Sequence, residues 1–283
     1  MGEWEMKKEI RLWMLLLGMI IFVIPPHVGA FNSATHLYIA EHVFQEVSGP
    51  LAPPASQFKP DLYYGSIGPD IDFFVKRPEK WLTAFGDTHH QFVDLRPFAS
   101  SPDQMAFANG WLTHNEEDPW GADHYAHIDP GYIINKAEGL SGLPSEFAHL
   151  AIEVAIDVLL KNEDPLLGEK LLNALQRHSW KDRTLLMDVF VSSQERTDRL
   201  TLIIAEMNFR QIMVQYARAL SKPDPEDKEA LARWGAMLAQ KLYGTKIPED
   251  YLRGILEDAI DLVKDDYKQT IDLVIDGIKN NLK

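Results

Sequence analysis

The chain contains no cysteine. That excludes a disulfide scaffold and a thiolate metal site, so any bound metal must be held by imidazole and carboxylate. Strand-like alternation is nowhere convincing, and no internal repeat or low-complexity tract stands out, which leaves a helical reading. Basic side chains are scarce, 28 Lys and Arg against 42 Asp and Glu, a net charge of −14. So acidic a surface repels nucleic acid and anionic headgroups at long range, and no stable nucleic-acid partner is expected. The longest apolar run, Leu12 to Ile24, is too short for a comfortable membrane span.

That run instead predicts a secretory signal over residues 1–30. Lys7, Lys8 and Arg11 form a weak basic start diluted by Glu3, Glu5 and Glu9; Pro25-Pro26 ends the run, and Val28-Gly29-Ala30 supplies small or β-branched residues for cleavage. Phe31 then becomes the mature N-terminus; the alternative is an uncleaved membrane anchor. An exported chain without disulfides must be held by its core or by metals, which points to a bacterial-type envelope, periplasmic or extracellular. With 46% hydrophobic residues, the remaining chain can bury a sizeable core as one large domain.

Helical periodicity dominates after residue 31. Leu37, Ile39, Ala40, Val43, Phe44 and Val47 predict a helix over 35–47, with Asn32 or Ser33 as caps. Residues 49–102, rich in Pro, Gly and aromatics, read as long loops with short helices. A helix is predicted from Asp103 to about Asp118, stopped by Pro119, then irregular chain over 121–142 and a periodic helix over 144–160. Further helices are expected at about 165–178, 181–222 (broken), 225–243 and 248–282.

Of nine histidines after the signal, eight fall between positions 36 and 149. His114 and Asp118 are four apart, as are His149 and Glu153. On a helix that spacing sets both side chains on one face, one turn apart, where they can grip one ion. Glu153 lies among Ile152, Val154, Ala155 and Ile156, so its charge needs a partner if that face is buried. One such pair is commonly a surface pair or a capped core histidine; two in one chain are more informative. His36, Gly68-Pro69-Asp70, His89-His90 and His124 add donors around them.

In that order these residues resemble the zinc-dependent phospholipase C family, which includes bacterial secreted phospholipases C and the catalytic domain of glycosylphosphatidylinositol-specific phospholipase D. The family's order is a free N-terminus, a His soon after it, Pro-Asp, His, His-x-x-x-Asp, His and His-x-x-x-Glu. Here stand Phe31, His36, Pro69-Asp70, His89, His114-x-x-x-Asp118, His124 and His149-x-x-x-Glu153. The fourth element can be His89 or His90, and the spacing favours His89. The resemblance covers roughly residues 31–160 and implies an all-α, multi-helix domain with site-bearing loops, further helices following over 165–282.

It also implies three zinc ions. Asp70, His89, His114 and Asp118 would hold one; His124, His149 and Glu153 the second; the Phe31 amino group and carbonyl, His36 and Asp118 the third, with Asp118 as bridge. Zinc-activated water would attack a phosphodiester, with Asp70 or Glu153 as general base. Asp72, Glu116, Glu117, Asp123 and His127 are read as supporting or surface groups, Asp72 or Asp87 orienting a ligand imidazole. A phospholipid is the expected substrate, met at a transient membrane contact. The related zinc nucleases, which end their metal set in Asp where this chain has Glu153, supply the runner-up. A non-catalytic metal-binding envelope protein is the third reading.

Overall fold

The computed structural model describes residues 32–46, 56–75, 89, 93–140, 143–191 and 198–282. Residues 1–31 lie outside that set, and with them the expected signal and Phe31, as do Asp87 and His90. Among the described residues there is no strand, and the fold is all-α. None of their helices is long and apolar enough to cross a membrane.

Among the described residues twelve α-helices follow in order: α1 (Ser33–Glu46), α2 (Lys59–Ser66), α3 (Pro102–His114), α4 (Ala122–His127), α5 (Tyr132–Ala137), α6 (Ser145–Glu163), α7 (Leu167–Arg177), α8 (Trp180–Phe190), α9 (Arg199–Leu220), α10 (Glu226–Tyr243), α11 (Glu249–Val263) and α12 (Tyr267–Asn281). Short 3-10 turns occupy Ser56–Phe58, Pro69–Phe74 and Arg96–Phe98. The expected helix over 248–282 is two helices, α11 and α12, and the stretch over 121–142 holds two short ones, α4 and α5. Helix α3 stops at His114, short of the expected Asp118. Asn115 leaves helical geometry, and its Oδ1 accepts the backbone N–H groups of Glu117 (2.9 Å) and Asp118 (3.2 Å). An asparagine side chain that captures its own downstream amides competes with helix continuation.

Two close approaches set the frame around the site. Helices α2 and α3 cross where neither has a side chain: a Cβ on Gly65 would lie 2.0 Å from the Phe107 carbonyl oxygen, and one on Gly110 1.9 Å from that of Leu62. Backbone-to-backbone packing of this kind admits only glycine. The chain after α3 then doubles back at Gly121, where a Cβ would meet the Asn115 carbonyl oxygen at 1.8 Å. That return delivers α4 beside the end of α3.

Helix α6 runs through the core, packed by α1, α5 and α11. It buries two carboxylates among apolar residues, Glu153 and Asp157. Asp157 caps the start of α1: its oxygens accept from the Thr35 N–H (2.7 Å), the Thr35 hydroxyl (2.5 Å), the Ala34 N–H (3.3 Å) and the Tyr216 hydroxyl of α9 (2.6 Å). A buried carboxylate satisfied by four donors at a helix N-terminus is in a favourable field. It ties α1, α6 and α9 together and fixes where His36, one residue past Thr35, must point.

Candidate metal centre

Three groups of buried or half-buried imidazole and carboxylate side chains converge: His36, His114 and Asp123; Asp70, His89 and His114; and His127, His149 and Glu153. Within each group, one donor atom per residue lies within 4.8 Å of the others. The chain brings them together from the first turn of α1, the 69–74 turn, position 89, the end of α3, the short helix α4 and the first half of α6.

Asp123 joins the first two groups. Its Oδ1 is 3.6 Å from His36 Nε2, while its Oδ2 is 3.2 Å from His114 Nε2 and 3.5 Å from His89 Nε2. Asp70 Oδ1 lies 3.6 Å from His114 Nε2 and 3.9 Å from His89 Nε2. In the third group His149 Nε2 is 2.8 Å from Glu153 Oε1 and 3.1 Å from His127 Nε2. The His36 ring stacks on His114 with centroids 4.0 Å apart.

The imidazoles are held from behind. His114 Nδ1 donates to the Ser66 carbonyl oxygen at 2.9 Å, which leaves Nε2 facing inward; the glycine crossing of α2 and α3 is what brings Ser66 that close. His89 Nδ1 lies 3.4 Å from Asp72 Oδ2. A carbonyl or carboxylate behind the ring is the usual way a ligand histidine is oriented.

Of the residues expected from sequence, the structure gathers His36, Asp70, His89, His114, His149 and Glu153. It does not bring Asp118 or His124 into any of the three groups. Because α3 ends at His114, Asp118 is not one helical turn further along the same face; it accepts from the Asn115 side-chain amide at 3.0 Å. His124 lies on α4 with its Nδ1 donating to the Glu116 carbonyl oxygen at 2.9 Å. Their places are taken by Asp123 and His127, read above as supporting or surface groups. These two are themselves four residues apart on α4, an acid-x-x-x-His pair. The signal was present in Gly121-Ala-Asp-His-Tyr-Ala-His127, with the acid preceding the imidazole.

The electrostatics are those of a site short of positive charge. Burial pushes the Asp70 carboxyl up to about 7, with Asp123 and Asp72 adding to the effect against His114 and His89. Burial alone would favour a neutral His89, but Asp72, Asp123 and Asp70 outweigh it and raise the imidazole to about 9. Burial also opposes charge on Asp123, yet His114 and His89 hold its carboxyl below the ordinary carboxylate range. Burial, then His114, lowers His36, and burial, then Asp70, raises Glu153. Bound divalent cations would take over the task that shared protons perform here.

Zinc fits the donor set. The donors are nitrogen and oxygen alone, as a chain without cysteine requires. Ligands about 2.0–2.1 Å from a tetrahedral ion sit roughly 3.3 Å from each other, close to the 3.6 Å from His36 Nε2 to Asp123 Oδ1 and the 3.2 Å from His114 Nε2 to Asp123 Oδ2. Asp123 Oδ1 and Asp70 Oδ1 are buried without a hydrogen bond, a costly state that a cation would relieve.

No solved structure matches the chain. An uncharacterized protein of Archaeoglobus fulgidus is 27% identical over 121 residues, 40% of this chain and 31% of that protein, so the chain spans about a third of the relative's length. The family described as zinc dependent phospholipase C matches residues 35–212, a stretch that takes in all eight residues of the three groups. A metal-dependent hydrolase is the coarse reading these observations support, and the chain belongs to the zinc-dependent phospholipase C family.

Proposed function

We propose that the protein is an exported phospholipase C-type enzyme, using three zinc ions to hydrolyse the phosphodiester of a phospholipid. The observation that carries this reading is Asp123, one carboxylate whose Oδ1 faces His36 and whose Oδ2 faces His114 and His89, with the third group supplied by α4 and α6 alongside. Bridged metals suit in-line displacement at phosphorus, where charge develops on both the attacking and leaving oxygens.

Zinc, when bound, supplies Lewis acidity and a water whose pKa falls to about 7. The protein's part is placement and proton transfer. His114 and His89 are aimed inward by Ser66 and Asp72, and Asp123 fixes the spacing of its two donor groups. Asp70 is the more open of the two candidate bases, its side chain 13% exposed against 6% for Glu153; we assign it the proton of the attacking water. As the new bond to phosphorus forms, the bond to the diacylglycerol oxygen breaks, and that oxygen is protonated from solvent. Acidic flanks and a closing Glu153 favour lipid over nucleic acid as substrate.

The test is one panel: zinc-loaded protein with phosphatidylcholine, phosphatidylinositol and single-stranded DNA. A phosphorylated headgroup released with diacylglycerol supports the proposal. Phosphatidic acid would mean cleavage on the other side of phosphorus, 5′-phosphate ends on DNA would mean the nuclease reading, and no turnover with tight zinc would mean a metal-binding protein without catalysis.

A further inference from the structure

Two imidazoles of the centre are turned inward by a group directly behind the ring, His114 by the Ser66 carbonyl and His89 by the Asp72 carboxylate. His36 is set through the main chain of the first turn of α1, where every amide has an acceptor. The Ser33 N–H donates to Asn32 Oδ1 at 2.8 Å, and the His36 N–H to the Asn32 carbonyl oxygen at 3.2 Å. Between them the Ala34 and Thr35 N–H groups donate to Asp157 at 3.3 and 2.7 Å, joined by the Thr35 hydroxyl at 2.5 Å. A helix N-terminus leaves four such donors open, and here two of them are satisfied by a carboxylate from another helix.

The place of that carboxylate on α6 matters. Asp157 follows Glu153 by four residues on one unbroken helix, so the two share a face, one turn apart. Glu153 belongs to the third donor group and His36 to the first. The bonds from Thr35 to Asp157 therefore set how far His36 stands from the His149–Glu153 pair. Asp157 is held from its other side by the Tyr216 hydroxyl at 2.6 Å, and the Tyr216 ring packs on Trp234 of α10 with centroids 4.7 Å apart. Thr35, Asp157 and Tyr216 are all 0% exposed, so water does not compete for these bonds. Tyr216 and Trp234 also lie beyond residue 212, where the family match ends.

We propose that Asp157 is the positioning residue for the His36 ligand, that Tyr216 holds it in register, and that chain beyond residue 212 thereby supports zinc binding at the His36 group; the inference rests on the metal-centre reading above. Thr35 and His36 are consecutive. A turn of the backbone that frees Thr35 from Asp157 swings the imidazole off the His114 ring, on which it stacks at 4.0 Å, and away from Asp123 Oδ1 at 3.6 Å.

Thr35→Val removes the hydroxyl and keeps the side chain's shape, Thr35→Ser keeps the hydroxyl, and Tyr216→Phe removes the donor on the far side of Asp157. Zinc affinities are read on the full chain by competition with a chromophoric chelator, and site geometry by the visible d–d absorption of cobalt(II) put in place of zinc. In Thr35→Val the ion at the His36 group is expected to bind roughly 10–100-fold more weakly, with a shifted cobalt band, while the ion at the His127, His149 and Glu153 group keeps its affinity. Tyr216→Phe is expected to weaken the same ion by a smaller factor, and Thr35→Ser to match the parent. Leu231→Ala truncates a buried side chain of α10, which packs on α9 and α11; it should lower the urea midpoint and leave zinc affinity and the cobalt spectrum as they were. Unchanged zinc affinity and spectrum in Thr35→Val, or equal changes in Leu231→Ala, overturn the positioning role. A parent chain that takes up no zinc overturns the metal-centre reading and this inference with it. The Thr35→Val loss in a chain that binds zinc but hydrolyses no phospholipid supports the positioning role and refutes the proposed activity instead.

Discussion

Replacing Asp123 with asparagine keeps the side chain's size and removes the charge that two donor groups share. In the metal-free protein it leaves His89 and His114 buried beside one fewer carboxylate; breaking a buried ion pair of this sort costs about 3–5 kcal/mol. In the metal-loaded protein the same charge is lost to two ions at once. At about 3 kcal/mol for each, and 1.4 kcal/mol per tenfold, each affinity should fall by more than about a hundredfold. Zinc per chain, measured by atomic emission after equilibrium dialysis, should drop by two ions in Asp123→Asn. Asp118→Asn, which touches only the Asn115 amide at 3.0 Å, should keep its full complement. The reverse pattern, zinc lost from the Asp118 variant and retained by the Asp123 variant, would refute the bridging role and restore the assignment suggested by the His114-x-x-x-Asp118 spacing.

Three other outcomes follow from the frame around the centre. Gly110→Ala drives a Cβ into the Leu62 carbonyl oxygen, 1.9 Å from its ideal position; the helices must part, at a cost of about 1–3 kcal/mol in a urea titration, and Ser66 withdraws from His114 with a loss of zinc affinity. Asp157→Asn weakens the four hydrogen bonds at the start of α1 and should lower stability by about 1.5–3 kcal/mol, with a fall in melting temperature. Asp182 is fully buried, and burial, then the facing Asp61 carboxylate, pushes its carboxyl up to about 10. Its folded pKa is raised, so between about pH 4 and pH 10 the folded chain holds a proton that the unfolded chain releases, and stability falls as pH rises through that window. Asp182→Asn should therefore flatten the decline and raise stability at pH 8 by at least ~2 kcal/mol; a urea midpoint that declines as steeply as in the parent protein would contradict the proton-holding role.

Much of this protein follows from local sequence. The helices are legible because an apolar residue every three or four positions needs only its own turn to declare a buried face. His149 and Glu153 converge because α6 continues unbroken through both, and the pair is a consequence of one helix's geometry. The absence of cysteine settles the chemistry of the donors without any coordinates. The identical argument misplaces Asp118, since it assumes a helix that Asn115 ends by capturing the amides of Glu117 and Asp118. Likewise the break between α11 and α12 leaves no proline or glycine to announce it; the stretch Lys264-Asp265-Asp266 is polar like the exposed faces on either side. What only the tertiary structure decides is which donors meet. Asp123 and His127 enter the centre because the chain folds back on Asn115 at Gly121, and His114 points inward because α2 and α3 touch at Gly65 and Gly110. Those contacts depend on atoms far apart in the chain, and no periodicity within a single segment encodes them.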